Sequence, residues 1–482
     1  MSDGSNRLTR RDVLKGAGVA GTAGLVGLAG CTTEDTAGGG GGGGGGGDGG
    51  GGGGGGDNGS GGNGSGGGGG DDYPALGNYP IEGNTALFGF NVPTTGPYSS
   101  EGEDELRGYE MAVKHLNEGG GWVDSQFDDL SGDGVLGYEI DYVEGDTATD
   151  PNTATQSANR MISRDGVIMF SGGSSSATAI AQQQVAQDNK VLFMCCLTHS
   201  NETTGIECRR YGFREMFNAY TTGQALAPVL KEEYGEGLTF YQLYADYSWG
   251  QTQQESMNQF LTEVAGWEQA DSVPTPLGTD DYGSYLSQAA DSGADVLVLN
   301  HYGLDGATSL QQAIDAGLDQ NMELLVPLYN RPMAEAAGGA IEGVFGTAAW
   351  DSQIDNTPSK EFTEAFGQEF DGRIPSGPAQ LAYAQTLQYA AAVERAGTFY
   401  PPEVIRQLED YEYDNIGMGA ETMRACDHQA IRDVPVVRGL PADQQSKGSY
   451  FEIVNITSRD DLWYACDEGP AAECELGPYG DE

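Results

Sequence analysis

Basic residues are scarce in this chain of 482 residues, which has 23 Lys and Arg against 72 Asp and Glu. The formal net charge of -49 repels nucleic acid and excludes an anionic membrane surface as a direct partner. Metal-binding residues are also sparse, because the 4 histidines are scattered and no CxxC pair is present. We therefore expect no metal site and no cofactor.

Long apolar runs are missing as well. A membrane-spanning helix needs about eighteen or more apolar residues, and no segment of the chain provides them. The weakly apolar run at 16–30 is too short and too rich in glycine, and it follows the pair Arg10-Arg11. This order of features is typical of a twin-arginine export signal, which we assign to residues 1–30.

The apolar run ends in Leu28-Ala29-Gly30-Cys31. These residues resemble the lipobox of bacterial and archaeal lipoproteins, in which the cysteine is lipidated and becomes the new N-terminus. One or two acyl chains hold a protein on a membrane without a transmembrane helix. We therefore predict a lipoprotein that is exported and anchored through Cys31 to the outer face of the cytoplasmic membrane. The alternative is an ordinary cleaved signal followed by an incidental cysteine.

A glycine-rich segment follows the expected anchor. Residues 38–70 are almost entirely Gly with some Ser, Asn and Asp, so 31–83 is assigned to the lipidated cysteine and a flexible linker. The roughly 400 remaining residues suit two lobes of ordinary domain size. Their acidic residues are dispersed, which resembles the proteins of halophilic archaea, where salt screens charge repulsion. Repeated apolar strands argue against a disordered acidic protein.

Cysteine usage indicates disulfide bonds. Besides Cys31, the chain contains an even set of cysteines at positions Cys195, Cys196, Cys208, Cys426, Cys466 and Cys474. An even set in an exported protein is typical of disulfide pairing. Cys466 and Cys474 could close a small C-terminal loop, and Cys208 could pair with Cys195 or Cys196. Because six cysteines allow many connectivities, the pairing stays open.

Apolar runs alternate with helical patterns over much of the chain. The strands are predicted at Ala86–Val92, Tyr138–Glu144, Gly166–Phe170, Val191–Leu197, Leu238–Tyr244, Asp295–Asn300, Leu324–Leu328 and Gly343–Thr347. The helices are predicted near 102–118, 151–163, 176–187, 219–234, 250–264, 281–292 and 306–316. Such alternation indicates an α/β fold with parallel sheets that are covered on both faces. Ligands bind such sheets at the carboxyl ends of the strands.

The loops after the first four strands carry small and polar residues in a distinctive order. They read TTGPYSSEG from 94, GDTATDPN from 145, SGGSSSAT from 171 and THSNETT from 198. In this order they resemble the leucine/isoleucine/valine-type extracytoplasmic solute-binding proteins of ABC importers, which are type I periplasmic binding proteins. The resemblance continues through Phe213-Arg214 and the turn at 247–250, and it fades near residue 440.

The resemblance implies two doubly wound parallel-sheet lobes, joined by a three-strand hinge, with a small ligand held between them. It places one lobe at 84–217 plus 349–435 and the other at 218–348 plus 436–482. It also implies an ABC permease and its ATPase as partners, and a binding protein rather than an enzyme.

Ligand contacts are implied for a set of residues on these loops. The set comprises Ser174, Ser175, Thr198, Ser200, Trp249, Tyr302, Tyr98 and Glu101. The hydroxyl residues would offer O–H and backbone N–H groups to a ligand oxygen at a helix N-terminus. The aromatic residues would supply rigid apolar walls. The alternatives are capping or turn roles for the hydroxyls, core packing for the rings and a solvated helix start for Tyr98 and Glu101.

One loop departs from the resembled family. Amino-acid binders usually hold the ligand's ammonium with an acid after the strand at 324–328, but the loop here reads PLYNR from 327. An ammonium without a carboxylate in a closed cleft would cost several kcal/mol. Asp305 could replace the acid, or Tyr329 and Asn330 could hold a neutral amide. The expected ligand is therefore a branched-chain amino acid, urea or a short amide.

Two other functions fit parts of the sequence. A ligand-sensing receptor can use the same fold, but no transmembrane helix or cytoplasmic module follows it here. A secreted hydrolase would need an activated serine at 174–176, but the G-x-S-x-G elbow is absent and no acid–histidine pair can be assigned to these serines. His428, beside Asp427, is expected to make a structural hydrogen bond near a disulfide.

Overall fold

The structure is a computed structural model that describes residues 73–481. The expected export signal, Cys31 and the glycine-rich segment at 38–70 lie outside the described residues. Between 73 and 481, no helix combines the length and the apolar character that a membrane crossing requires.

Fifteen strands and twelve α-helices make up the described part of the chain. The strands are β1 (Thr85–Val92), β2 (Glu139–Asp146), β3 (Met169–Gly173), β4 (Leu192–Cys196), β5 (Gly212–Arg214), β6 (Thr239–Ala245), β7 (Glu268–Thr275), β8 (Val296–Asn300), β9 (Glu323–Tyr329), β10 (Phe345–Ala348), β11 (Tyr411–Tyr413), β12 (Glu421–Met423), β13 (Ala430–Ile431), β14 (Val434–Gly439) and β15 (Phe451–Thr457). The helices are α1 (Ser99–Glu118), α2 (Pro151–Arg160), α3 (Ser176–Asn189), α4 (Ala219–Tyr234), α5 (Ser248–Glu263), α6 (Gly283–Ser292), α7 (Gly303–Asp315), α8 (Arg331–Ala337), α9 (Thr357–Glu369), α10 (Gly377–Ala396), α11 (Pro401–Leu408) and α12 (Arg459–Leu462).

Two parallel sheets dominate the fold, which confirms the predicted α/β class. The first has the strand order β2-β1-β3-β4-β5 and is parallel throughout. The second has the order β15-β14-β10-β9-β8-β6-β7, in which β6 to β10 are parallel and β14 and β15 are antiparallel. Strands β11, β12 and β13 form a small antiparallel sheet.

The apolar runs explain why the inner strands were predicted correctly. Every residue of β3, β4 and β8 is buried, because helices cover both faces of a parallel sheet. Strand β7 lies at an edge and consists mostly of polar, partly exposed residues, so it lacks such a run. Strand β5 spans only Gly212–Arg214 and is too short to give a pattern.

The chain passes between the two sheets three times. It leaves after Arg214 of β5, returns after Ala348 of β10, and leaves again after Ile431 of β13. Arg432 touches all three crossings. Its Nη1 donates to Glu215 Oε1 at 2.6 Å, and its Nη2 donates to the backbone oxygen of Ala349. The side chains of Arg432 and Glu215 are fully buried, so one ion pair holds the crossover segments together.

The disulfide bonds differ from both suggested pairings. Cys208 is bonded to Cys474 and Cys426 to Cys466, whereas Cys195 and Cys196 are buried free thiols. Cys195 and Cys196 are the last two residues of β4 and are buried in the core, whereas Cys208 pairs with the C-terminal tail. The short distance in sequence favoured a bond between Cys466 and Cys474. The tail instead extends across the fold, so that each of these cysteines pairs with a residue far from it in sequence.

The C-terminal tail lies against residues that follow the first sheet's strand β4. The backbone N–H of Arg210 donates to Leu476 O at 3.1 Å, and the Tyr211 hydroxyl donates to Tyr479 O at 2.5 Å. The Cys208–Cys474 bond fixes the same contact. The expected second lobe included residues 436–482. The end of this segment differs from that expectation, because it contacts residues that follow a strand of the first sheet.

The start of the described chain is also packed rather than free. The ring of Tyr73 stacks on Tyr400 with centroids 4.5 Å apart. Asn78 Nδ2 donates to the backbone oxygens of Ile162 at 3.0 Å and Val167 at 2.7 Å. The expected linker at 31–83 is therefore too long at its C-terminal end, because residues from Tyr73 onward already contact the first sheet and its helices.

Candidate ligand-binding cleft

A small cavity lies where the carboxyl ends of strands from both sheets meet. Its lining residues are Ser174, Ser176, Leu197, His199, Tyr247, Trp249, Tyr302 and Leu328. Residues up to His199 follow strands of the first sheet. Tyr247, Trp249 and Tyr302 follow strands of the second sheet, and Leu328 lies near the end of its strand β9. The cavity volume is about 10 Å³, which is comparable with the space needed for one water molecule. The loops of the two sheets are therefore closed on one another.

The turn after β3 places Ser174 at the cavity wall. Gly172 has φ 129°, and a Cβ atom there would lie 2.1 Å from the backbone oxygen of Asn91. Ser174 itself has φ 38°, a left-handed conformation that costs energy for a residue with a side chain. Its hydroxyl donates to Oε1 of Glu105, which lies on α1. The strained turn thus directs Ser174 between a buried acid and the cavity.

Ser176 organises the loop that follows β4. Its Oγ accepts hydrogen bonds from the backbone N–H of His199 at 3.2 Å and of Ser200 at 3.0 Å, and from Thr198 Oγ1 at 3.1 Å. The sequence analysis did not select Ser176, whose position is the first residue of α3. Ser175, the residue before it, is buried, and its Oγ has no hydrogen-bond partner within residues 73–481.

Thr198 and Ser200 are buried beside the cavity and already have partners. Thr198 donates to Ser176, and Ser200 donates to the backbone oxygen of Ser248 at 3.3 Å while accepting from Thr252 Oγ1 at 3.3 Å. The contacts of Ser200 join a first-sheet loop to α5 of the second sheet. Neither residue lines the cavity, so both support its wall in this closed form.

His199 is neutral at the cavity. Burial lowers its pKa to about 3, and the nearby Arg214 charge acts in the same direction. Its Nε2 lies 2.8 Å from Thr222 Oγ1. Because the ring carries no charge at neutral pH, His199 offers an apolar face and does not supply a cation for a ligand carboxylate.

Four aromatic residues form a connected set at the cavity, which we call the aromatic wall: Tyr98, which follows β1 of the first sheet, and the cavity-lining residues Tyr247, Trp249 and Tyr302. Ring centroids are 5.7 Å apart for Tyr98 and Tyr302, 6.1 Å for Tyr302 and Trp249, and 6.1 Å for Trp249 and Tyr247. The hydroxyl oxygens of Tyr98 and Tyr247 are 2.7 Å apart and complete the circuit. Trp249 Nε1 is buried without a hydrogen-bond partner among the described residues.

Several polar contacts join the two sides of the cleft. Asn330 Nδ2 donates to Glu101 Oε1 at 2.9 Å and also to the hydroxyl of Tyr302. The Arg331 guanidinium donates to Asp104 Oδ2 at 2.8 Å. Glu101 and Asp104 belong to α1, whereas Asn330 and Arg331 follow β9. These bonds stabilise the closed arrangement of the loops.

Glu105 is an acid that sequence reasoning missed. It is fully buried, and burial raises its pKa to about 8 despite the hydrogen bond from Ser174. Its Oε2 has no partner among the described residues. Burial also raises the pKa of Glu101, which is one helical turn away. In the sequence, Glu105 looks like a solvent-exposed acid, because it lies in the middle of an acidic, amphipathic helix. Only its spacing from Glu101 could have indicated that it is buried.

Two expected ligand contacts are placed elsewhere. The ring of Tyr329 packs on Phe451, with centroids 5.2 Å apart, in the core of the second sheet. Its neighbour Leu328 lines the cavity instead, because successive strand residues point to opposite faces. The carboxylate of Asp305 accepts the backbone N–H of Gly278 at 2.8 Å, so its first role is to hold a neighbouring loop.

His428 makes structural contacts, as its position near a disulfide suggested. Its Nε2 lies 2.9 Å from Glu409 Oε1, its Nδ1 lies 2.9 Å from Gly212 O, and its ring stacks on Phe213 at 3.9 Å. No cluster of three or more His, Cys, Asp or Glu residues suited to a metal occurs within residues 73–481.

Two α/β sheets with a closed cavity between the carboxyl ends of their strands define a bilobed binding protein. The family model described as periplasmic binding protein matches residues 87–445. The chain therefore belongs to the periplasmic binding protein family, in agreement with the resemblance in its loops.

Relatives and solved structures agree with this assignment. A Leu/Ile/Val-binding protein homologue of Brucella abortus is 27% identical over 347 residues, which cover 67% of this chain and 79% of the relative. A periplasmic binding protein from Burkholderia mallei superposes with a TM-score of 0.72 at 21% identity, covering 81% of this chain and 100% of that one. An amino acid ABC transporter substrate-binding protein from Pseudomonas fluorescens gives 0.69 at 22% identity, with 78% and 96% covered.

Proposed function

We propose that this protein captures a small polar ligand between two lobes and delivers it to an ABC permease and its ATPase. The lobes are 84–217 plus 349–435 and 218–348 plus 436–482, with the C-terminal tail lying across the first. One observation carries the proposal: the cavity takes its walls from the loops of both sheets. A cavity of about 10 Å³ admits no solute larger than water, so the lobes must part to load the ligand.

The proposed ligands are a branched-chain amino acid, urea or a short amide. The Leu/Ile/Val-binding and amino-acid-binding relatives support the first of these. The three rings of the aromatic wall that line the cavity, together with Leu197 and Leu328, give it an apolar part beside two serines and a histidine. This lining suits a small ligand that has an apolar body and polar groups. The missing acid after β9 is the sequence feature that favours urea or an amide.

A thermal-shift screen tests this function directly. The full-length protein in molar KCl is heated with branched-chain amino acids, urea or short amides. A bound ligand raises the unfolding midpoint because binding to the folded state adds RT ln(1 + [L]/Kd). The same samples are analysed for chemical change in the ligand. Turnover of an ester or amide would contradict a binding-only role and favour the hydrolase.

We also propose export by the twin-arginine route and anchoring through Cys31. Arg10-Arg11 and the sequence ending at Cys31 support both steps. A lipid and a glycine-rich linker would keep the binder close to its permease and raise its local concentration there. A Cys31→Ser variant should appear in the medium instead of the membrane fraction. Retention on the membrane would argue against the lipid anchor.

Halophilic adaptation is a further part of the proposal. The net charge of -49 supports it, because molar salt shortens the screening length to about 3 Å and relieves repulsion between surface carboxylates. The unfolding midpoint should therefore rise steeply with KCl.

The receptor alternative makes a different prediction from the transport function. A receptor would recruit a signalling partner when its ligand binds, whereas a transport protein would support uptake of the ligand by membrane vesicles that contain the permease.

A further inference from the structure

Two buried acids on α1 lie behind the cleft without a counter-charge. Glu105 and Glu101 are both fully buried, and each accepts from neutral donors: Ser174 and the Cys196 thiol for Glu105, and Ser100, Asn330 and its own backbone N–H for Glu101. Within residues 73–481, neither acid forms an ion pair with Lys, Arg or His. Buried carboxyl groups are normally paired with a cation, because an unpaired charge in an apolar interior is costly.

Ser174 connects Glu105 to the cavity. A serine hydroxyl has one proton to donate and two lone pairs that accept. Because Ser174 donates its proton to Glu105, its lone pairs are available to accept a hydrogen bond at the cavity wall. This side of the cavity is therefore suited to a donor on the ligand, and a carboxylate behind Ser174 strengthens that preference for a positively charged donor.

The neighbouring part of the wall has the opposite preference. Ser176 Oγ accepts from the N–H groups of His199 and Ser200, and no acceptor for its own proton occurs among the described residues. Trp249 Nε1 and Ser175 Oγ are buried donors without partners there. They lie beside the N-terminus of α3, which favours negative charge. A ligand with both an ammonium and a carboxylate would satisfy the two sides together.

We propose that Glu105 is the positioning residue that selects an ammonium group in the ligand, and that it acts through Ser174. This inference rests on the proposed binding function and narrows its ligand range to amino acids. Glu105 also takes the place of the acid that is absent after β9, and it supplies the counter-charge from the opposite side of the cleft. Asp305 does not take this role, since it is engaged with Gly278.

Proton release on ligand binding distinguishes Glu105 from its neighbours. The ionisable groups that face it are Glu101 and Tyr109 of α1, Cys195 and Cys196 of β4, and Tyr302 before α7. Free thiols and phenols have pKa values of about 8.5 and 10. Burial raises the pKa of each phenol and thiol in this group, so they stay neutral between pH 6 and pH 8.5. Glu101 is the one other acid in this group, and a Glu101→Gln variant measures its share.

Glu105 has a pKa of about 8 in the ligand-free protein, so most of it is protonated at neutral pH. An ammonium stabilises the carboxylate form, so binding must release a proton below pH 8. Affinity for an amino acid should therefore rise by about tenfold per pH unit toward pH 8 and then level off. A ligand that carries only a carboxylate should not gain affinity over this range.

The experiment compares matched ligand pairs that differ only in the amine: leucine with 4-methylpentanoate, valine with 3-methylbutanoate, and phenylalanine with 3-phenylpropanoate. Dissociation constants are measured by calorimetry on the full-length protein at pH 6, 7 and 8, in buffers of different ionisation enthalpy to count released protons. We expect at least one pair in which the amino acid binds more than tenfold tighter. The Glu105→Gln variant should remove most of this preference and the proton release.

Glu103→Gln is the matched control, because it changes the same charge on the same helix at a side chain that is 61% exposed. It should leave both the preference and the proton count unchanged. The unliganded unfolding midpoint of Glu105→Gln should equal or exceed that of the native protein, since the amide can still accept the Ser174 hydroxyl.

The inference is overturned if the amine-free partners bind as tightly as the amino acids, or if Glu105→Gln retains the full preference. Binding of urea or an amide alone would also overturn it, while leaving the proposed function intact. Failure of every amino acid, urea and amide to bind would count against the proposed ligand range and this inference together.

Discussion

Glu105 and Glu215 are both fully buried glutamates, but they have different surroundings. Glu215 lies in the crossover region and faces the guanidinium of Arg432 at 2.6 Å. Glu105 lies behind the cleft and faces the neutral Ser174 hydroxyl and Cys196 thiol instead of a cation. Each acid has one carboxyl oxygen without a hydrogen-bond partner among the described residues, so the two differ in the presence of a cation. A buried acid that is paired with a cation stabilises the folded chain, whereas one without a cation favours a positively charged ligand.

Removing the cation that faces Glu215 should have the largest effect. Arg432→Met leaves the Glu215 carboxylate buried without its partner and frees the crossover at Ala349. We expect a loss of about 3–5 kcal/mol in the free energy of unfolding, measured by denaturant titration without ligand. Arg438→Met is the control, because its pair with Glu452 is partly exposed and should contribute less than about 1 kcal/mol. Equal effects of the two variants would remove the distinction.

Two buried tryptophans allow the same comparison for N–H groups. Trp249 Nε1 has no partner among residues 73–481, whereas Trp267 Nε1 donates to Gly235 O at 2.8 Å. Trp249→Phe should therefore spare stability and weaken ligand binding by about 0.5–1.5 kcal/mol, the net value of a hydrogen bond. Trp267→Phe should lower the stability of the protein and leave ligand binding unchanged. Unfolding curves and calorimetry on both variants measure the two effects, and loss of stability in Trp249→Phe alone would contradict the assignment.

The contact between Asp104 and Arg331 tests closure. Asp104→Asn weakens a bond between α1 and the residue after β9, so the closed form should be less favoured. We expect ligand affinity to fall by about 1 kcal/mol, since binding then bears part of the cost of closing. Glu335→Gln is the control: Glu335 also pairs with Arg331, at 3.1 Å, but both residues belong to α8. A similar loss in both variants would show that the effect is local to Arg331.

The smallest expected effect concerns a helix-capping position. Ser175 precedes α3 but makes no capping bond, whereas Asp150 precedes α2 and accepts the Thr153 N–H at 2.8 Å. Ser175→Ala should change the free energy of unfolding by less than about 0.5 kcal/mol, and Asp150→Ala should cost about 1 kcal/mol. If Ser175 contacts the ligand, its alanine variant loses affinity in calorimetry. Unchanged affinity would assign Ser175 to the wall alone.

Much of the fold was predictable because apolar strands such as β3, β4 and β8 are buried on both faces. The polar edge strand β7, the short β5 and the small sheet of β11 to β13 lack that pattern, and their positions depend on tertiary contacts. The disulfide partners were not predictable either, because the tail that carries Cys474 crosses to Cys208 over 266 residues of sequence.

The cleft was predictable in its loops but not in its details. Ser174, Trp249 and Tyr302 line the cavity as expected from their positions after strands. Tyr329 does not line the closed cavity, because strand alternation turns its neighbour Leu328 toward it. Glu105 was missed because hydropathy treats every acid on an amphipathic helix as solvated. Ser176 was missed because its role depends on the backbone N–H groups of another loop.

The stacking of Tyr73 on Tyr400 has a mechanical consequence. Any force applied through the residues before Tyr73 reaches the first sheet and its helices, because the chain is already packed there. Motion of the cleft would then fall to the second sheet, swinging about the crossover segments that Arg432 joins. A tether at this end would therefore be joined to the first lobe, and the second lobe would move relative to it when the cleft opens or closes.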